Sequence, residues 1–187
     1  MVTLPITRLA EQTVTLDEFE RWLRQPENAN RDFEFIGGRI VEVVSNNYSS
    51  QVAMLIGARL TVYVVQHDLG YVTGADGGYQ VGGERYIPDV AFVSRSRQPE
   101  ACREAYNPLP PDLAVEVLSP ANDPAEIRVK LINYGLVGTA VWVVDPERQR
   151  AEIYLPGQPP QMVGMDGELS GGEAVPGFRL KMADIFR

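Results

Sequence analysis

One cysteine and one histidine stand in a chain of 187 residues, and each scarcity removes a class of site. The lone Cys102 forbids an internal disulfide and any cysteine-built zinc centre, and is expected as a free thiol in a loop. The lone His67 removes histidine-rich metal sites and leaves a Ser-His-Asp triad a single residue to use. No apolar run approaches the roughly 18 residues of a membrane span. Met1–Gln12 lacks the order of a signal peptide, so a soluble, cytoplasmic protein is expected. Basic charge is short too: 17 Lys and Arg face 25 Asp and Glu, for a net charge of -8. That is unlike a non-specific nucleic-acid coat protein. It still allows a local basic groove or an acidic metal site. The glycines of Gly74-Ala-Asp-Gly77-Gly78 fit neither GxGxxG nor a P-loop, and no helix follows them.

What is present reads as one α/β domain, residues 1–187, with a mixed sheet and helices against it. Thr15-Leu-Asp-Glu18 is a capping box opening a short helix that ends before Pro26 and lies over a sheet. Phe33–Ile36 and Arg39–Val44 form a hairpin about Gly37-Gly38, with Glu34 opposite Val41 and on the face of Arg39. A surface ion pair is the ordinary fate of such a strand charge. Ser45–Ser50 reads as a turn, and Gln51–Gln66 as a largely buried helix with His67 at its C-terminal end, where the helix dipole favours it.

Gly70–Gly83 suggests a twisted or bulged hairpin, and Tyr86–Ser94 a strong strand. Arg95–Pro111 reads as a long surface loop and Asp112–Leu118 as a second strong strand. Asp123-Pro124 starts a helix running to about Tyr134. Ala140–Asp145 and Ala151–Leu155 are further strands, Gly157–Pro176 is turn-rich and peripheral, and Phe178–Ile185 closes the chain as an amphipathic segment.

Three residues in Tyr86–Lys130 stand out chemically. Side chains alternate along a strand, so Asp89 shares a face with Ala91 and Val93, and Glu116 with Ala114 and Leu118. Glu116 is thus a charge inside an apolar run, which costs several kcal/mol unless it is paired or metal-bound. Lys130 flanks the core stripe of Ile127, Leu131 and Tyr134 and can lean toward Glu116. An i,i+4 pair with Glu126 would explain it equally well. Two carboxylates hold Mg²⁺ with waters remaining, the ion activates water, and a lysine orients that water and offsets phosphate charge. The same set suits other metal-assisted hydrolyses.

Pro88-Asp89-Val90, then Pro111-Asp-Leu-Ala-Val-Glu116-Val-Leu-Ser-Pro120, Lys130-Leu-Ile-Asn-Tyr134 and Val141-Trp-Val-Val-Asp145-Pro146, resemble the Uma-two family. That family consists of restriction-endonuclease-like proteins within the PD-(D/E)XK nuclease superfamily. Phe33–Val41 and Val175–Phe178 resemble its opening and closing elements. The resemblance implies a restriction-endonuclease-like fold and a Mg²⁺- or Mn²⁺-dependent DNA endonuclease. Asp89 and Glu116 match metal ligands, Lys130 the catalytic lysine, and Glu34 a recurrent family acid. The wider superfamily carries its lysine two residues after the Glu, where this chain has Leu118; in this family the lysine stands on the following helix. Many relatives carry a histidine at the start of the long helix, where this chain has Ser50 or Gln51. A homodimer suits a duplex-cutting enzyme. Two rivals remain: an inactive nucleic-acid-binding or accessory protein that kept the fold, and a structural oligomer in which Glu116 merely pairs with Lys130.

Overall fold

The computed structural model describes residues 13–186; the reading of Met1–Gln12 lies outside them. Helix α1 (Leu16–Leu23) opens on the expected capping box: the Glu18 backbone N–H donates to Thr15 Oγ1, and Glu18 Oε2 accepts from Thr15 N at 2.8 Å. Thr15→Ala should lower stability by about 1 kcal/mol in urea denaturation, the usual cost of a lost cap. Phe19 is fully buried under this helix and stacks on Phe35. A single 3₁₀ turn, Pro26–Asn28, follows.

Strands β1 (Phe33–Ile36) and β2 (Arg39–Glu42) form the expected hairpin, pairing Glu34 with Val41 and Ile36 with Arg39. Gly37 and Gly38 both have positive φ, +58° and +79°, which a two-residue turn of this hand requires. Helix α2 (Asn47–Gln66) starts four residues earlier than expected. Asn46 caps it by accepting from Ser49 N at 2.8 Å, so the polar run Ser45–Ser50 is mostly a helix start. Nor is it largely buried: Val52, Ile56, Leu60 and Val64 face the core, while Met54, Val62 and Val65 face solvent.

The Gly70–Gly83 stretch is not a hairpin. Its strands β3 (Gly70–Thr73) and β4 (Gly78–Val81) belong to different sheets. Tyr86–Ser94 is likewise two strands, β5 (Glu84–Tyr86) and β6 (Val90–Ser94), broken at Ile87-Pro88-Asp89. The proline has no N–H for a ladder, and the chain changes sheet there. The 95–111 loop contains a short strand, β7 (Tyr106–Asn107). It is anchored inward, with Asn107 buried and donating to Gln98 Oε1 at 2.7 Å, and Tyr106 donating to the Phe33 carbonyl. A Cβ at Gly78 would lie 2.5 Å from the Tyr106 ring, so only glycine admits this close crossing.

Next come β8 (Leu113–Val117), α3 (Pro124–Leu136), β9 (Ala140–Asp145), β10 (Arg150–Tyr154), β11 (Gln161–Val163), β12 (Glu168–Ser170), β13 (Arg179–Lys181) and the one-turn helix α4 (Met182–Ile185). The 157–176 region is not merely peripheral, because Leu169 and Val175 are fully buried.

One sheet runs β2-β1-β5-β4-β7 and a second β11-β10-β9-β8-β6-β3; β12 and β13 pair alone. Both large sheets are mixed: β8–β9 and β4–β7 are parallel, the other pairs antiparallel. Helix α2 and the C-terminal segment pack on one face of the six-stranded sheet, through Ile56, Leu60, Trp142 and Phe178. The other face, with Ala91, Ala114 and Val141, meets α3 and the five-stranded sheet through Tyr134, Ile36 and Tyr86. Among the described residues no helix is long and apolar enough to cross a membrane.

Candidate active site

The site lies in that second interlayer space. Strand β8 carries Glu116 on the face of Ala114, and antiparallel β6 pairs Val90 with Val115. One step further along the same register sets Asp89 level with Glu116. There Asp89 Oδ2 accepts from the Val117 backbone N–H at 2.7 Å. Strand β1 brings Glu34 from the other sheet, and α3 brings Lys130 from above.

Lys130 Nζ donates to Glu116 Oε2 at 2.7 Å and to Glu34 Oε1 at 2.9 Å. All three residues are buried: 4% exposure for Lys130, 6% for Glu116 and 7% for Glu34. The expected surface pair of Glu34 is therefore replaced by a buried one. Arg39 instead bridges to Glu126 at 3.0 Å, which also removes the Glu126–Lys130 pair as the reason for the lysine. Glu34 Oε1 further accepts from Ile87 N at 2.6 Å, tying it to the turn that bears Asp89. These four side chains line a narrow cleft of about 70 Å³.

Two features escaped the sequence reading. Tyr134, read there as a core residue, is fully buried yet donates its hydroxyl to Glu116 Oε1 at 2.9 Å. The Lys130–Tyr134 spacing of four put both on one helix face, and a tyrosine in a buried stripe needs a partner for its hydroxyl. Behind them Tyr86 lies under the Lys130 ammonium, its ring centre 5.5 Å from Nζ. The Tyr86 hydroxyl is held by Asn133 at 2.6 Å and donates to Glu84. His67 ends α2 at the surface, away from the cleft. Cys102 is a half-buried free thiol in the 95–111 loop.

Charge in this space is unbalanced, with three carboxylates to one ammonium. Burial alone would lower the Lys130 pKa, but Glu116 and Glu34 override it and raise it, so the lysine stays charged. The surplus falls on the acids. Burial pushes Glu116 up to about 7 against the pull of Lys130, with Glu34 and Asp89 adding to the rise. Burial also raises Asp89, opposed by the Val117 N–H and Lys130.

A folded pKa above the unfolded one means the folded state holds extra protons between the two values. The metal-free protein should therefore be more stable near pH 5 than near pH 8, losing stability as pH rises through about 7. Glu116→Gln should flatten that slope in thermal melts across the window; an unchanged slope would put the surplus charge elsewhere.

Among the described residues no group of three or more His, Cys, Asp or Glu forms a ready-made metal cage. Asp89 and Glu116 nevertheless offer two hard oxygen ligands at one level of the sheet. Mg²⁺ is commonly held by one or two carboxylates, with water and substrate oxygens completing the shell. Both Glu116 oxygens already accept hydrogen bonds, but each keeps a second lone pair. The residues fit a hard divalent ion completed by water.

The fold is restriction-endonuclease-like. A solved structure, described as "a putative nuclease belonging to DUF820" from Anabaena variabilis ATCC 29413, superposes on this chain with a TM-score of 0.80. It is 21% identical and covers 92% of this chain and 97% of its own. The model of the Uma2 family, described as "Putative restriction endonuclease", matches residues 16–183, and the chain belongs to that family. No curated protein matches the sequence.

Proposed function

We propose that this protein is a cytoplasmic, Mg²⁺- or Mn²⁺-dependent endonuclease that hydrolyses phosphodiester bonds in DNA. The observation that carries the reading is the meeting of Asp89, Glu116 and Lys130 in one cleft, with Lys130 Nζ 2.7 Å from the Glu116 carboxylate. Membership of a family of restriction-endonuclease type supports it.

Asp89 and Glu116 would hold the ion, which when bound polarises the phosphoryl oxygen and lowers the pKa of a coordinated water. The protein's own residues do the rest. Lys130 is held charged, so it acts as a hydrogen-bond donor and counter-charge toward the phosphate and the attacking water, not as a base. Glu34 fixes the lysine and, through Ile87 N, the turn that presents Asp89. Burial, with Glu116 and Glu34 close by, keeps Tyr134 protonated, so it donates to Glu116 and sets the plane of that carboxylate.

The test is nicking of supercoiled plasmid by the purified chain. Cleavage is expected with Mg²⁺ or Mn²⁺ and none with chelator. Cleavage that persists in chelator would sink the mechanism. A second reading, a fold kept for binding without cutting, draws on the double hydrogen bonding of Glu116. It predicts DNA retention in a gel shift with no nicking under any metal.

A further inference from the structure

Helix α2 is the long helix of the fold, yet its outer face looks unfinished. Five of the nine large apolar side chains exposed among the described residues lie on it or lead into it: Val44, Tyr48, Met54, Val62 and Val65. Met54 is 73% exposed and Val65 70%. In a chain that is 22% charged, the helix carries one charge in twenty residues, Arg59. A helix apolar on all sides is normally covered on all sides, and apolar patches ringed by polar surface mark contact sites.

Beside the helix runs a mostly apolar groove of about 540 Å³, with Met54, Ala58 and Val62 on one wall and Val72 and Thr73 of β3 on the other, and with Asp89 also in its lining. Strand β3 is the last strand of its sheet, and Gly70–Thr73 places no charge on that open edge. Natural edges that must stay unpaired are usually blunted by charge, proline or a bulge.

We infer that this face pairs with the same face of a second copy of the chain, α2 against α2 across a two-fold axis. Charge argues for this occupant. A face with one arginine offers nothing to neutralise a run of phosphates. For a chain of net charge -8 it is also a place where two copies approach without repulsion.

Spacing argues for it as well. Met54, Ala58, Val62 and Val65 follow one another by four, four and three, a single stripe along the helix. A two-fold axis beside the small Ala58, near the helix midpoint, sets two antiparallel helices in a self-complementary register. Met54 then meets Val62 of the partner subunit, and Gln51 meets the partner's Val65. Such an isologous contact closes on itself and stops at two. The inference concerns assembly and does not rest on the catalytic reading, although the groove beside the stripe reaches Asp89.

Sedimentation of the full-length chain at micromolar concentration tests it. The expected mass is twice the 20.7 kDa of one chain. Met54→Glu combined with Val62→Glu should halve that mass and keep the circular dichroism of a folded chain, because both side chains face solvent in the single chain. Met54→Lys combined with Val62→Glu should restore the doubled mass, since the register sets each lysine against a glutamate across the axis. A wild-type mass of 20.7 kDa overturns the inference. So does a doubled mass that survives the paired glutamates, or a lysine–glutamate pair that fails to restore it.

Discussion

Lys130→Met should unfold about 3–5 kcal/mol more easily than wild type near pH 8 in the metal-free protein, the usual cost of leaving a buried charge without its partner. The side chain keeps its length and its burial but loses the only cation among Glu34, Glu116 and Asp89. Were Lys130 a surface residue paired along its helix, the loss would be a few tenths of a kcal/mol, so the size of the effect decides between the two situations. Acid should narrow the deficit. Glu116 and Asp89 already have raised folded pKa values, and removing the ammonium, which pulls both down, raises them further. Their contribution is intact below the unfolded carboxylate range and lost as pH rises through the folded values. The variant should therefore lie nearest wild type near pH 5 in urea titrations. A deficit that is constant with pH would mean that the lysine acts by packing alone.

Asp89→Asn should abolish metal-dependent nicking, by at least about 10²-fold, while the protein keeps its fold. The amide oxygen of asparagine can still accept the Val117 N–H now received by Asp89 Oδ2, so the local structure survives. What disappears is the negative charge a hard cation requires. Stability should hold or rise slightly, because a partly desolvated charge has been removed. Two readouts separate the causes: Mn²⁺ binding by calorimetry should weaken together with nicking, and the thermal midpoint should not fall. Undiminished nicking by a folded Asp89→Asn protein would take Asp89 out of the mechanism.

Glu116 was legible in the sequence because physics objects to a carboxylate in an apolar strand whatever the fold. The register of the β1–β2 hairpin was legible because Gly37-Gly38 sets it by turn geometry, although β2 ends at Glu42 and not at Val44. The break at Pro88 was not, since β-propensity reads the same for residues that serve two different sheets. The mistaken hairpin over Gly70–Gly83 has the same origin: alternation reports that a strand is half-buried and says nothing about its partner.

The composition carries a further signal for Lys130. The chain has only two lysines, Lys130 and Lys181, and relies on arginine elsewhere. The ammonium of a lysine is a compact point charge on a flexible stem, suited to reaching two carboxylates from a core-flanking position. Glu34 was legible as a charge on a strand. Its burial depends on the two sheets closing face to face, which no local pattern contains.

The three residues Ile87, Pro88 and Asp89 carry the chain from one sheet to the other, and they are fastened at both ends. Ile87 N is held by Glu34 of the first sheet, and Asp89 holds Val117 N of the second. The site is therefore a seam that exists only when both layers are seated. A chain with only the first sheet formed has Glu34 alone of the three carboxylates, and one with only the second lacks the hold of Glu34 on Lys130 and on Ile87 N. For the nuclease proposed here, cutting would then require both layers to have closed on each other.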